Sequence, residues 1–230
     1  MIYLITGGTG SFGQRFTERL LGNSSVEKVI IFARDELKLV EMSKKFTDPR
    51  MRFYVGDVRE YDRLKRAFEP RVDIVVHAAA LKHVPVCEEN PYEAVKTNIM
   101  GTYNVCNAAI DCGVKKVLFL STDKSVSPIN LYGVTKAAAE RIVIGSNVYA
   151  QGRDTSFACV RYGNVAGSRG SVIPIFKSLP EPLPITDKSM TRFWITLSEA
   201  VDLVCKALVR MTKGEIFIPK MRAFRITDLA

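Results

Sequence analysis

The sequence predicts an α/β chain with a doubly wound parallel sheet, followed by a smaller and incomplete C-terminal substrate lobe. Short apolar runs alternate with amphipathic helical stretches up to about residue 160. The first run, residues 2–5, leads straight into a glycine-rich turn. Past about residue 168 the texture changes, with Pro174, Pro180, Pro182 and Pro184 breaking up the pattern.

The elements follow in order. Residues 2–5 are continuously apolar, as a strand buried on both faces must be. Gly7, Gly8, Gly10 and Gly13 then fit two overlapping spacings, GxGxxG from Gly8 and GxxGxxG from Gly7. Residues lacking a β-carbon permit a tight turn, close approach to a pyrophosphate and close packing of the next helix, here 14–21. The position of this turn, between strand and helix, makes it a dinucleotide signature of the Rossmann type. Thr6, Gly7, Gly10, Ser11, Phe12 and Gly13 are therefore assigned to a cofactor.

The second strand, 28–33, ends where an adenine ribose would lie, and Arg34 and Asp35 follow it. Arginine suits the 2′-phosphate of NADP and an acid suits the 2′-hydroxyl of NAD. With arginine first, NADP is favoured over NAD, and Asp35 is either a cofactor contact or the cap of a helix over 36–46. Strand 51–55 leads to Asp57 and Val58, a candidate adenine contact whose alternative is a helix cap. Strands at 73–77, 117–121 and 156–161 alternate with helices at 92–112 and 131–148. Gly7, Arg34, Asp57, His77 and Ser121 all fall at the carboxyl ends of strands, where such sheets bind ligands. The domain boundary is drawn between a cofactor-binding 1–167 and a partial substrate lobe, 168–230, some of whose elements return to the main sheet. The clearest helix in that lobe is 198–211. Ile226-Thr227-Asp228 reads as a helix start, so a truncated lobe is expected.

The chemistry concentrates between residues 121 and 136. Tyr132 and Lys136 are one helical turn apart, and Ser121-Thr122-Asp123-Lys124 closes the preceding strand. A tyrosine becomes a base near neutrality when a cation stabilises its phenolate, and Lys136 is placed to be that cation.

A net charge of +9 suits polyanionic small ligands, and a scattered solvated surface explains it equally well. No basic run interleaved with aromatics points to nucleic acid. The five cysteines, odd in number, form no metal spacing and read as reduced thiols; no metal is expected. With no leader ahead of the first strand and no membrane-length apolar run, a soluble cytoplasmic protein is expected.

The glycine turn, Asp57-Val58, Ser121-Thr122 and Tyr132-x-x-x-Lys136 resemble the extended short-chain dehydrogenase/reductase superfamily. Within it, four segments resemble the inverting UDP-N-acetylglucosamine 4,6-dehydratases: Arg34-Asp35-Glu36, Ala78-Ala79-Ala80-Leu81-Lys82-His83-Val84-Pro85, Thr97-Asn98-Ile99-Met100-Gly101 and Ser121-Thr122-Asp123-Lys124. That resemblance implies a UDP-sugar substrate and a role in pseudaminic acid or surface polysaccharide synthesis. It also implies a homo-oligomer, a dimer or hexamer, through helices 92–112 and 131–148.

The resemblance makes Asp123, Lys124, Tyr132, Lys136 and Thr122 the catalytic set, with Lys124 as base and Asp123 as acid or the reverse. Ala78, Ala79, Ala80, Lys82 and Asn98 join the cofactor contacts. Lys82, His83, Asn164, Ser171, Val172 and Arg192 become substrate contacts. Two rivals remain: a nucleotide-sugar epimerase, and a protein that binds NADP without turnover.

Overall fold

The computed structural model describes residues 1–69, 71–167, 172–180, 183–185 and 187–228. Its main sheet has seven parallel strands in the order β3-β2-β1-β4-β5-β6-β9. These are β1 Ile2–Thr6, β2 Lys28–Ala33, β3 Met51–Val55, β4 Ile74–His77, β5 Lys116–Thr122, β6 Ser156–Tyr162 and β9 Ile216–Phe217. Strand order reverses between β1 and β4, which opens a crevice beyond their carboxyl ends.

The pleat sends successive side chains to opposite faces. Ile5, Ile31, Val76 and Leu118 enter one core with Phe16 and Leu20 of α1 (Ser11–Leu21), Leu39 of α2 (Glu36–Lys45) and Val204 of α9 (Leu197–Arg210). Leu4, Ile30, Val75 and Val117 enter the other. There they meet α3 (Tyr61–Phe68), α6 (Gly101–Asp111) and α7 (Leu131–Tyr149). Burial on both faces explains why these strands read as continuous apolar runs.

The helix expected over 92–112 is a composite: α4 (Val84–Glu89) precedes it, α5 (Pro91–Ala94) opens it, and a π-helical turn, Val95–Met100, leads into α6. Beyond residue 168, α9 packs beside α1 and β9 extends the main sheet from β6, so part of the C-terminal segment returns to the first unit. The remainder includes α8 (Val172–Ser178) and a three-stranded sheet of β7 (Asn164–Val165), β8 (Thr191–Ile195) and β10 (Arg222–Arg225). Among the described residues no helix is long and apolar enough to cross a membrane.

Candidate active site

A cavity of about 680 Å³ lies over the carboxyl ends of the strands, a size typical of small-molecule sites. One end is the glycine turn. Gly7 has φ +65, and a β-carbon on it would come within 2.8 Å of the Ala79 backbone. One on Gly13 would come within 2.3 Å of the Gly8 carbonyl oxygen, so only glycine lets α1 sit this close. Gly10 caps α1 without a side-chain bond, and Ser11, Phe12 and Gly13 of the first turn line the cavity. This cradle fits a dinucleotide pyrophosphate, which the positive end of a helix attracts.

Arg34, Asp35, Asp57 and Val58 line the same end. Asp35 caps α2, accepting from Lys38 N at 3.0 Å, and pairs with the Lys38 ammonium at 2.5 Å. Asp57 is held by Arg59 at 2.7 Å, with Arg34 at 3.6 Å. It accepts from Arg59 N, and the residue ahead of α3 is Glu60, so Asp57 is not that helix's cap.

The other end gathers the residues of β5 and α7. Thr122, Lys124, Tyr132, Lys136 and Asn164 all line it, with Ala78, Ala79, Ala80, Lys82 and His83 between the two ends. Asn130 caps α7 by accepting from Gly133 N, and this fixes where the helix presents Tyr132. Lys124 Nζ donates to Asp123 Oδ1 at 3.1 Å and to Asn164 Oδ1 at 2.8 Å. The Thr122 hydroxyl donates to Asp123 Oδ1 at 3.0 Å.

Lys136 differs from expectation. Its ammonium donates to the Leu120 carbonyl at 2.7 Å and lies 3.9 Å from the Phe119 ring centroid. Burial lowers its pKa to about 7. Burial likewise pushes Tyr132 up to about 12, against the opposing hydrogen bond of Thr122. Desolvation thus disfavours the charged form of both groups, leaving Lys136 about half protonated at neutral pH.

Buried hydrogen bonds join the two ends. Thr102 donates its only hydroxyl proton to the Asn98 carbonyl at 2.7 Å, so it must accept from His77 Nε2 at 3.0 Å. His77 Nδ1 then accepts from Thr6 Oγ1 at 2.6 Å, and Thr6 accepts from Ala79 N. Burial depresses the imidazole pKa to about 3, so this tautomer persists across the physiological range. Asn98 continues the chain, accepting from Leu81 N at 2.8 Å and donating to Leu81 O and to Thr135 Oγ1.

Several sequence-assigned residues stand back from the cavity. Thr6 and Asn98 act through those bonds, and Asp123 reaches the site through Lys124. Arg192, on β8, donates to the Thr191 carbonyl and to Met190 Sδ, outside the cavity lining. Ser171 and the Val172 side chain lie outside the described residues.

Residues that sequence reasoning missed include Thr97 and Tyr162, both in the cavity wall. Gly133, where a β-carbon would lie 2.2 Å from Lys124 O, and the buried Glu140 were missed too. Glu140 sits four residues beyond Lys136, a spacing that could have signalled it.

The family model described as "Polysaccharide biosynthesis protein" matches residues 3–230. The chain belongs to this family. It is 53% identical to the inverting UDP-N-acetylglucosamine 4,6-dehydratase of Campylobacter jejuni, over 99% of this chain and 69% of that protein. It is 45% identical to the UDP-glucose 4-epimerase of Rickettsia rickettsii, over 99% of this chain and 68% of that protein. Among solved structures it resembles DesIV of Streptomyces venezuelae, a dTDP-glucose 4,6-dehydratase with NAD and TYD bound. The TM-score is 0.86 and the identity 25%, over 100% of this chain and 79% of that one.

Proposed function

We propose that this family member is a UDP-N-acetylglucosamine 4,6-dehydratase that uses NADP and inverts C5. The observation that carries the reading is the Asp123–Lys124 pair at 3.1 Å, with Lys124 in the cavity beside Tyr132. Redox at C4 alone needs one proton acceptor, whereas elimination of water needs a further base and a further acid. A nicotinamide held by the glycine turn would supply the hydride acceptor for C4 and the hydride donor for C6.

The chain's own groups move the protons. Tyr132, bonded to Thr122, would take the C4 hydroxyl proton as its phenolate while the C4–H bond breaks; burial disfavours that form, and the positive charge of a bound nicotinamide would favour it. The resulting ketone acidifies C5–H, which passes to Lys124 Nζ, while Asp123 protonates the departing C6 hydroxyl. These roles need neutral lysine and protonated aspartate, the state reached when one proton crosses the 3.1 Å between them. Their roles are interchangeable on this geometry. Inversion would be completed by returning a proton to C5 from the opposite face, for which Tyr132, holding the proton taken from the C4 hydroxyl, is the cavity group left carrying one, and the net change is loss of one water.

Arg34, half exposed at the adenine end, supports NADP over NAD. Residues 168–230 would complete a substrate lobe in which Asn164 and Arg192 meet the UDP-sugar. Exposed Tyr92, Tyr103, Val148 and Tyr149 on α5, α6 and α7 support a homo-oligomer, a dimer or hexamer. Pseudaminic acid or surface polysaccharide synthesis in the cytoplasm is the setting this reading implies.

The Rickettsia relative favours a second reading, epimerisation of a nucleotide sugar. Mass spectrometry of UDP-N-acetylglucosamine incubated with the protein and NADP separates the two. Loss of about 18 daltons that requires Tyr132 supports dehydration. Unchanged mass with a new stereoisomer by NMR supports epimerisation, and no change at all refutes both.

A further inference from the structure

Glu140 is a buried carboxylate that the proton transfers above do not use. It is 4% exposed and does not line the cavity, and its hydrogen bonds go to protein groups. Arg161 of β6 donates to it through Nε at 3.1 Å and Nη2 at 2.5 Å. That pair alone would knit α7 to β6 and nothing more.

A second partner gives it another task. Ser125, 7% exposed, closes the short turn Asp123–Ser125 after β5. Its hydroxyl lies 2.8 Å from Glu140 Oε1 and 2.7 Å from the Thr122 carbonyl, donating to both as a three-centre bond. The bond therefore holds the peptide immediately ahead of Asp123 and Lys124. At the same residue, the Thr122 hydroxyl meets Asp123 Oδ1 at 3.0 Å and bonds Tyr132. Tyr132, Lys136 and Glu140 recur every four residues along one side of α7. One helix thus presents the C4 base and also carries the anchor for the elimination pair.

We propose that Glu140, acting through Ser125, is a positioning residue that fixes the Asp123–Lys124 turn relative to Tyr132. It thereby couples oxidation at C4 to loss of water. This rests on the dehydratase reading for its catalytic part, while the anchoring itself does not.

Glu140→Gln would strand the Arg161 guanidinium in a buried site and risks unfolding the chain. Ser125→Ala is the sharper variant, because it cuts the link and leaves the Glu140–Arg161 pair intact. Two quantities are read in Ser125→Ala against the wild type. The first is amide hydrogen exchange over Lys124–Val126, whose turn is closed by Val126 N donating to Asp123 O at 3.1 Å. The second is dehydrated product formed per hydride transferred in a single turnover with NADP.

The expected result is turn exchange about tenfold faster, with water loss per hydride lowered at least tenfold and the melting temperature nearly unchanged. A purely structural serine would lower stability and leave that ratio alone. Wild-type exchange in the turn, or a wild-type ratio, would overturn the proposal. Should the wild-type protein itself release no water, the dehydratase reading fails. The exchange measurement then decides the anchoring alone, faster exchange supporting it and unchanged exchange refuting it.

Discussion

Replacing Lys136 by methionine removes a cation that the fold resists forming. Lys136 is 3% exposed, and burial lowers its pKa from 10.5 to about 7. The unfolded chain therefore binds this proton more readily than the folded one between those values. Above about pH 10.5 neither state is protonated and the group has no effect on stability. As pH falls the penalty grows, and it levels off below about pH 7.

At about 1.4 kcal/mol per pH unit, the full penalty is of order 5 kcal/mol, and about 3 kcal/mol of it is regained between pH 7 and 9.5. Urea unfolding of the wild type and Lys136→Met at half-unit steps across that window isolates the term, since the other titrating groups are common to both. Wild-type stability should climb relative to the variant by about 3 kcal/mol as pH rises from 7 to 9.5. Two curves that run parallel within about 1 kcal/mol would refute the argument, and would mean that Lys136 is solvated or paired with charge in the folded protein.

Gly133→Ala should slow turnover at least tenfold while the chain remains folded. Alanine gains about 1 kcal/mol in helix propensity, but its β-carbon, 2.2 Å from Lys124 O, forces the turn away from α7; steady-state kinetics beside a melting curve checks both. Lys124→Ala should bind NADP within about twofold of the wild type by fluorescence titration, yet lose water release by 10²-fold or more, roughly the worth of a positioned base. Normal release of water from that variant would contradict its role. Arg34→Ala should lower the ratio of NADP to NAD affinity by about tenfold or more, the loss of a charge-assisted bond, and an unchanged ratio would remove the case for NADP.

What the sequence made legible was whatever depends on local pattern. Lys28–Ala33 was bounded to the residue, because a doubly buried strand shows as an unbroken apolar run between polar turns; the edge strand Met51–Val55 was bounded too, although Arg52 interrupts it and only Met51 is buried. The glycine turn, Tyr132 and Lys136, each a local pattern, all line the cavity. What stayed hidden depends on partners far apart in the chain. Arg161 and Glu140 are separated by 21 residues, and nothing in the sequence reveals that their charges are buried together. The Leu120 carbonyl that holds Lys136 has no side-chain signature at all. Lys136 is held by that carbonyl, which its spacing from Tyr132 could not show, since spacing fixes the direction of a side chain and not the partner that captures it. The small second sheet was illegible because β7 has only two residues, too few for any period to show.

The π-helical turn Val95–Met100 has a consequence for how this protein can change length. A π turn holds one residue more than the α-helix around it, so deleting a single residue there would leave a more regular helix, with better local hydrogen bonding. It would also rotate the residues on one side of the deletion by about 100° relative to the other. Asn98 could no longer face Leu81 and Thr135 while Thr102 faced His77. The surplus residue is therefore a phase-setter between two buried contacts. Along this stretch substitutions should be tolerated far more readily than a change of one in length, even one that improves the helix.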